Sequence, residues 1–197
     1  MTRKLRSEPK KPRPSAKLTE LPSAAAHHEA AQYEDDNVGV EAANRTTQAA
    51  EGGVVMEFGL RRAQGPDAGI YGARAAIIGG CHGTSNVLTG KMYDVPIMGT
   101  HAHSWVMSFP TELEAFRKYA ELFPSSCLLL VDTYDTLHSG VPNAITVFRE
   151  LRERGYEPKG IRLDSGDLAY LTREARKMLD EAGWTDCKIS VSNSLDE

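Results

Sequence analysis

The sequence lacks any apolar run long enough to cross a membrane as a helix. Its longest uninterrupted runs, such as CLLLV at 127–131, are far shorter than the roughly 20 residues that a membrane-spanning helix needs. No apolar core of a secretory signal is present near residue 1 either. The formal net charge of -4 gives the chain no broad positive field for nucleic acid. We therefore expect neither a membrane span nor a nucleic-acid partner.

Cysteine is also scarce, and two common nucleotide-binding patterns are missing. Cys81, Cys127 and Cys187 are odd in number, widely spaced and form no C-x-x-C pair, which argues against a disulfide framework or a structural zinc site. We expect three free thiols in a reducing cytosol, and so a cytoplasmic protein. The chain contains neither a G-x-G-x-x-G dinucleotide fingerprint nor a Walker A loop.

The first 41 residues differ in composition and apolar pattern from all that follow. MTRKLRSEPKKPRPSAKL is basic and rich in proline, and PSAAAHHEAAQYEDDNVGVE has no apolar period. Such a segment buries too little surface to offset the entropy of ordering it. We predict a disordered leader over 1–41 and one α/β domain over 42–197.

Short apolar runs alternate with helical patterns from residue 42 onward. The predicted strands cover 54–59, 77–80, 95–99, 127–134, 159–166 and 188–193. The predicted helices cover 67–76, 85–92, 111–122, 141–154 and 168–182. Continuous apolar strands that alternate with helices are typical of a parallel α/β fold. We predict part of a β/α barrel, because polar clusters recur where the strands end.

Those polar clusters predict the position of a site. They read EFGLRR, GGCHGTSN, GTHAHS, VDTYD and RLDSGD. In barrels and open sheets alike, ligands bind beyond the carboxyl ends of the strands. A barrel would therefore bring all five clusters to one rim.

The H-x-H pair of GTHAHS has three interpretations: a metal pair, a histidine that works covalently, or two ordinary histidines at a strand end. On an extended strand end, His101 and His103 would face the same side, as in some zinc hydrolases on barrels. A metal site would require further histidines, and none stands at a matching strand end. The metal hydrolase is therefore the weakest of the three.

Taken together, the clusters resemble the nicotinate phosphoribosyltransferase family. EFGLRRAQGPDAG, GTSNVLTGK, GTHAHSWVMSF, LLLVDTYDT, SGVPNAI and GIRLDSGDLAYL are similar to that family in order and interval, over roughly residues 42–197. The resemblance implies a type II phosphoribosyltransferase fold. It also implies formation of nicotinate mononucleotide and pyrophosphate from nicotinate and phosphoribosyl pyrophosphate, with ATP hydrolysis, in NAD salvage.

The resemblance assigns the pyridine ring to the first two clusters. Phe58 would stack on the ring and Arg61 would meet its carboxylate or a phosphate, with Arg62 and Gln64 as further anion contacts. Ser85 and Asn86 lie at a predicted strand-to-helix turn, where amides and a hydroxyl can meet an anion. Related nicotinamide-using enzymes carry an acidic residue at the position of Ser85, so serine favours the acid substrate. Ser85 as a simple helix N-cap remains an alternative.

The resemblance also makes His103 the histidine that ATP phosphorylates. A neutral imidazole is a competent nucleophile if a carboxylate orients its other nitrogen, and Asp132 or Asp135 can do so. His101 is then a neighbour or a structural residue. A satisfied strand-end histidine is the plain alternative for His103.

RLDSGD is similar to the family's ribose-phosphate segment. Asp164 would accept from ribose hydroxyls, Arg162 would contact phosphates, and the amides of Ser165 and Gly166 would face an anion. Asp164 and Ser165 as helix caps are the alternative. Mg²⁺ and the co-substrate ATP are implied, and ATP would share the phosphoribosyl pyrophosphate site.

The resemblance stops at both ends of the chain. Family members are longer, so we expect a truncated chain whose barrel is completed by a homodimer or a complementing fragment. The second hypothesis is a catalytically incomplete paralogue that binds a nucleotide or a partner without turnover.

Overall fold

Two small parallel sheets organise the molecule, whose computed structural model describes residues 39–193 and residue 195. One sheet pairs β1 with β2, and the other has the order β3–β4–β5. The strands are β1 (Met56–Glu57), β2 (Gly83–Thr84), β3 (Leu128–Leu130), β4 (Gly160–Leu163) and β5 (Lys188–Val191). Every pair is parallel, as is an isolated bridge from Thr84 to Ile97. The predicted α/β fold, part of a β/α barrel, is therefore confirmed.

Helices connect the strands in the alternation that parallel pairing requires. Their bounds are α1 (39–49), α2 (Pro66–Ile78), α3 (Val87–Tyr93), α4 (His103–Met107), α5 (Glu112–Leu122), α6 (Val141–Glu153) and α7 (Leu168–Glu181). Single turns lie at Leu60–Arg62 and Pro124–Ser126, and a π-helical turn at Thr136–Gly140 leads into α6. None of the helices in the described part of the chain is long and apolar enough to cross a membrane.

Local sequence explains where several helices begin. The Asn86 side chain accepts from the backbone N–H groups of Leu88 and Thr89, and Thr111 accepts from that of Glu114. Asp167 caps α7 in the same way. These short polar side chains satisfy N–H groups that have no partner inside the helix.

The core lies between the three-stranded sheet and the helices α5, α6 and α7. Phe116 of α5 and Phe148 of α6 are fully buried there, together with Leu129 and Ile161 of the sheet. Burial of each such side chain contributes about 2–3 kcal/mol. This packing holds β3 and β4 side by side, so that their carboxyl ends open at the same rim.

Two predicted strands are wrong. Residues 77–78 end α2, and 79–80 form the turn after it, because buried alanines at 73, 75 and 76 extend the helical face. Ile78 is 57% exposed and Gly80 adopts a φ of 107°. The segment 95–99 contributes only the bridge at Ile97, and the strands at 127–134, 159–166 and 188–193 are shorter than predicted.

The helix α1 was not predicted, and the reason is its manner of packing. It contacts the end of α2 through small residues rather than through an apolar stripe. A Cβ on Gly79 would stand 2.6 Å from the Cβ of Ala43, and Thr47 Oγ1 donates to the Gly79 carbonyl at 3.1 Å. Residues 39–41 of the predicted leader lie in this helix, and 1–38 lie outside the described residues.

Candidate functional site

The carboxyl ends of β1, β4 and β5 meet at one rim, and the side chain of Arg162 joins them. Its guanidinium lies 4.8 Å from the ring centroid of Phe58, which follows β1. It also donates to Thr100 Oγ1 at 2.9 Å, Ser192 Oγ at 2.9 Å and Asp164 Oδ1 at 3.0 Å. Four segments far apart in sequence are thus held by one planar cation, which suits its rigid fork of donors.

Asp164 is the acceptor at the centre of this rim. Its Oδ1 accepts from Arg162 and from the hydroxyl of Ser192, and its Oδ2 lies 3.4 Å from His103 Nε2. Partial burial opposes ionisation, but the hydrogen bond from Ser192 and the charge and hydrogen bond of Arg162 outweigh it and lower the pKa of Asp164. Asp164 is therefore a carboxylate at neutral pH.

Asp132, at the end of β3, is a buried carboxylate with two different oxygens. Oδ2 accepts from the Asp164 backbone N–H at 2.7 Å and from Ser165 Oγ at 2.6 Å, which fixes the turn after β4. Oδ1 is buried without a hydrogen-bond partner among the described residues and lies 3.9 Å from His103 Nε2. One oxygen is structural, and the other is directed at the histidine.

His103 opens α4, so the extended strand end on which both histidines would face one side is not present. Its side chain is 34% exposed, with Nδ1 3.1 Å from Thr133 Oγ1 and Nε2 toward Asp132 and Asp164. Of the two carboxylates considered for His103, the structure brings only Asp132 close. Asp135 instead contacts His138 Nδ1 at 3.0 Å on the surface.

His101 points into the core and covers the open edge of β3. The Val131 N–H donates to β4, so the Leu130 N–H faces the opposite edge, where it donates to His101 Nε2 at 3.1 Å. The ring packs against Tyr119, with 4.7 Å between ring centroids. Because His101 Nε2 is already bonded, the two histidines do not form a metal pair. Of the two roles considered for His101, a neighbour of His103 or a structural residue, these contacts favour the structural one.

His101→Gln is expected to remove part of the acid sensitivity of folding. Burial, with the nearby charges of Arg162 and His103, lowers the pKa of His101 from 6.5 to about 4, which outweighs the Ala102 carbonyl. The unfolded chain then binds this proton more tightly, so stability is present above about pH 6.5 and is lost as the pH falls toward 4. Between pH 7 and pH 5, protonation linked to His101 lowers the unfolding free energy by about 2 kcal/mol.

Urea unfolding of both proteins at each pH measures this difference. Glutamine offers an acceptor to the Leu130 N–H but does not titrate. The unfolding free energy of His101→Gln should therefore fall less between pH 7 and pH 5 than that of the parent chain. Equal losses in the two proteins would contradict the assignment.

Four further residues predicted to bind ligand lie in or after the first two clusters. Arg61 is exposed on the turn after β1, and no contact among the described residues connects it to His103. Arg62 Nη2 donates to Asn193 Oδ1 at 3.2 Å, which links the ends of β1 and β5. Ser85 is half-buried, and Asn86 rather than Ser85 caps α3, so the alternative that Ser85 is the N-cap is wrong. Gln64 is exposed.

The turn after β4 also departs from the helix-cap alternative. Asp167 is the N-cap of α7, and Asp164 and Ser165 are not. Gly166 adopts a φ of 77°, a backbone conformation that favours glycine, and both Ser165 and Gly166 are exposed. The polar atoms of this turn are therefore directed at the rim and at Asp132.

Sequence reasoning missed three hydroxyls and one carboxylate that build the rim. Thr100 and Ser192 bond Arg162, and Thr133 contacts His103. Thr100 follows a predicted strand, and Thr133 and Ser192 lie at the carboxyl ends of two others, so the rule that pointed to their neighbours could have found all three. Glu57, the first residue of the cluster EFGLRR, fastens β1 to β2 by accepting from Thr84 Oγ1 at 2.5 Å, a role that was not assigned to it from the sequence.

The cysteines and the acidic residues bear on redox and metal chemistry. Cys81, Cys127 and Cys187 are free, and burial raises the pKa of Cys127 to about 12 and that of Cys187 to about 11. Such thiols are inert as nucleophiles. The described residues contain no group of three His, Cys, Asp or Glu side chains able to hold a metal ion. They do not fit a metal site of their own.

Comparison with known proteins identifies one family. Residues 54–191 match the model of the nicotinate phosphoribosyltransferase (NAPRTase) family. The nicotinate phosphoribosyltransferase of Bacillus subtilis is 58% identical over 144 residues, which are 73% of this chain and 29% of that protein. The one from Homo sapiens is 35% identical over 196 residues, covering 73% of this chain and 36% of the relative. The chain spans about a third of the length of the curated relatives it matches.

Solved structures give the same result for the fold. The crystal structure of human nicotinic acid phosphoribosyltransferase matches with a TM-score of 0.74 and 32% identity, over 82% of this chain and 43% of that one. Nicotinate-nucleotide pyrophosphorylase from Pyrococcus furiosus matches with a TM-score of 0.70 and 28% identity, over 80% and 41%.

Proposed function

The chain belongs to the nicotinate phosphoribosyltransferase family, and on that premise we propose that it carries out the chemistry of that family as part of a larger catalytic unit. The proposed reaction joins nicotinate to the ribose of phosphoribosyl pyrophosphate and releases pyrophosphate, coupled to ATP hydrolysis in NAD salvage. The observation that carries the proposal is the cluster at the rim, where His103 faces two carboxylates beside the cation Arg162.

Displacement of pyrophosphate from ribose passes through a cationic sugar and an anionic leaving group. The protein needs cations for phosphates and carboxylates for the sugar, held before the substrate arrives. In the proposal, Asp164 accepts from ribose hydroxyls and lies beside the developing positive charge, while Arg162 contacts phosphate. The exposed amides of Ser165 and Gly166 provide further donors. Hydrogen bonds from Arg162 to Ser192 and Thr100 preorganise the Arg162 side chain.

Nicotinate is flat and negatively charged, and the end of β1 offers groups that suit both properties. Phe58 presents a ring that Arg162 already stacks upon, and Arg61 is an exposed cation three residues later. Ser85 is half-buried, with its N–H donating to the Glu57 carbonyl at 2.9 Å, so its position is fixed by β1. A hydroxyl there tolerates a carboxylate, whereas an acidic side chain would repel it.

His103 is the proposed acceptor of the γ-phosphoryl group of ATP, and Mg²⁺ would enter on the phosphates of the substrates rather than in a cage of side chains. Such use of Mg²⁺ is common, because this ion keeps waters and binds phosphate oxygens readily. The negative charge added to His103 would stand beside the phosphate-binding groups, which couples ATP cleavage to substrate binding.

A second candidate function is binding of phosphoribosyl pyrophosphate or a nucleotide without turnover. The observation that favours it is the pair of Arg162 and Asp164 at the rim, which can hold phosphate and ribose whether or not turnover follows. Under either candidate, a homodimer or a complementing fragment would complete the site, and three free thiols fit the cytoplasm.

Purified chain, as a homodimer or together with a complementing fragment, is expected to form nicotinate mononucleotide and pyrophosphate when supplied with nicotinate, phosphoribosyl pyrophosphate, ATP and Mg²⁺. Arg162→Lys should weaken this activity on the order of 10-fold or more, because a lysine cannot maintain the three hydrogen bonds and the stack on Phe58. Arg117→Lys is the matched control, since Arg117 pairs with Glu150 on the exposed surface away from the rim. Chromatography of the products measures both.

Calorimetric titration with phosphoribosyl pyrophosphate separates the candidates. If the parent chain binds phosphoribosyl pyrophosphate, Arg162→Lys weakens that binding and no mononucleotide is formed, the result favours the second candidate, binding without turnover. A chain that shows no binding and no turnover would refute both candidate functions.

A further inference from the structure

The two ring nitrogens of His103 face chemically different partners. Nε2 lies 3.4 Å from Asp164 Oδ2 and 3.9 Å from Asp132 Oδ1, and Nδ1 lies 3.1 Å from the hydroxyl of Thr133. A carboxylate can only accept a hydrogen bond, whereas a threonine hydroxyl can donate or accept. The two sides of the ring are therefore not interchangeable.

Only one neutral form of the imidazole satisfies both sides. An unprotonated Nε2 would direct its lone pair at the carboxylate oxygens of Asp164 and Asp132, which is repulsive. A proton on Nε2 instead donates to Asp164, and Nδ1 is left with the lone pair. The Thr133 hydroxyl then turns to donate to Nδ1. The hydroxyl is free to do so, because His103 is its only hydrogen-bond partner among the described side chains.

From this geometry we propose that Thr133 is a positioning residue for His103, which together with Asp164 selects the tautomer with hydrogen on Nε2 and the reactive lone pair on Nδ1. The proposal rests on the proposed function where it concerns phosphoryl transfer, but the tautomer itself does not depend on any activity. Thr133 acts because it follows Asp132 directly. Two consecutive residues after β3 thus face the two ring nitrogens, Asp132 on the Nε2 side and Thr133 on the Nδ1 side.

The transfer step then needs no proton to leave the ring. A bond forms between Nδ1 and the γ-phosphorus of ATP, and the bond from that phosphorus to the β,γ-bridging oxygen breaks. ADP departs with the electron pair, and Nε2 keeps its hydrogen. The ring becomes a cation while Thr133 releases Nδ1. Asp164, and the buried Asp132 oxygen that has no hydrogen-bond partner among the described residues, lie where that positive charge develops.

Nitrogen NMR of the full chain labelled in its histidine rings tests the tautomer. The parent chain is expected to show His103, assigned by its loss in His103→Asn, with hydrogen on Nε2. Thr133→Val, which has the same shape without a hydroxyl, should shift His103 toward a mixture of tautomers, and Thr133→Ser should restore the parent pattern. A single Nδ1–H form in the parent chain, or no change in Thr133→Val, would overturn the proposal.

Phosphorylation gives a second readout. With ATP and Mg²⁺, we expect 1-phosphohistidine, substituted at Nδ1. In Thr133→Val the rate should fall about 10-fold, the effect of losing one hydrogen bond to the reacting group, with little change in the half-saturating ATP concentration. Thr133→Ser should recover most of it. A 3-phosphohistidine, substituted at Nε2, would contradict the proposal.

The two outcomes separate this proposal from the proposed function. A chain that takes no phosphate at all refutes the phosphohistidine step while the NMR result still decides the tautomer. A chain that is phosphorylated at the same rate with or without the Thr133 hydroxyl keeps the proposed function and refutes the role of Thr133.

Discussion

Replacing His103 with asparagine is expected to abolish acid-labile phosphate on the chain and to slow ATP-coupled mononucleotide formation on the order of 100-fold or more. Asparagine retains a polar side chain at the start of α4 but has no nitrogen able to attack phosphorus. The side chain is 34% exposed, so this change should barely alter the unfolding free energy. The loss would therefore be chemical rather than structural.

The matched control for this variant is His138→Asn. His138 is also paired with a carboxylate, Asp135 at 3.0 Å, but its side chain is 86% exposed and lies outside the rim cluster. It should keep both the phosphate and the turnover of the parent chain. Radiolabelled ATP, acid and base treatment, and peptide mapping measure the outcome. Acid-labile phosphate that survives in His103→Asn, or maps to His138, would rule out the proposed role of His103.

Gly140→Ala is expected to destabilise the fold by about 4 kcal/mol, near the top of the range for one substitution. A Cβ on Gly140 would stand 1.7 Å from the carbonyl oxygen of Val131, a backbone atom that no side-chain rotation can move. Gly140 ends the π-helical turn, and Val131 immediately precedes Asp132. Relief of the clash has to displace either α6 or the end of β3, so any folded remainder should also lose phosphorylation of His103.

Gly72→Ala is the control for this variant. Gly72 lies within α2, and a methyl group added there would meet no neighbouring atom within 4 Å, so alanine should stabilise the helix by about 0.5–1 kcal/mol. Urea unfolding monitored by circular dichroism measures the change in unfolding free energy for both variants. A Gly140→Ala protein whose unfolding free energy stays within about 1 kcal/mol of its parent would show that the contact with Val131 relaxes easily.

The strand-end rule explains why much of the site was predictable from sequence. Polar clusters directly after apolar runs drew attention to EFGLRR, VDTYD and RLDSGD, and the family resemblance assigned roles to Phe58, Asp132 and Asp164 within them. Parallel pairing brings the ends of β3 and β4 together, and the contact of Arg162 with Phe58 adds the end of β1. The same rule wrongly predicted a strand at 77–80, where residues 77–78 are the end of α2. Short apolar runs do not distinguish a strand from a buried helix segment, because both place their side chains in the core.

The two histidines of GTHAHS show where local reasoning fails. Spacing alone would place His101 and His103 on one side if the segment were extended, but a helix begins at His103 and the two rings contact different partners. His101 is drawn inward because the outer edge of β3 has a backbone N–H that requires an acceptor. That requirement belongs to a strand 29 residues away and leaves no trace near the histidine.

The order of apolar runs, caps and polar strand ends determined the α/β class, the parallel pairing and the side of the molecule where a ligand would bind. These follow from periodicity and from hydrogen bonds within a few residues. The tertiary structure alone decided the partners: Ser192 and Thr100 on Arg162, Thr133 on His103, and Asp132 across to the turn after β4. The physical reason is that hydrogen bonds require atoms within about 3 Å of each other, and residues 30 to 62 positions apart reach that distance only after the sheet and its helices have packed.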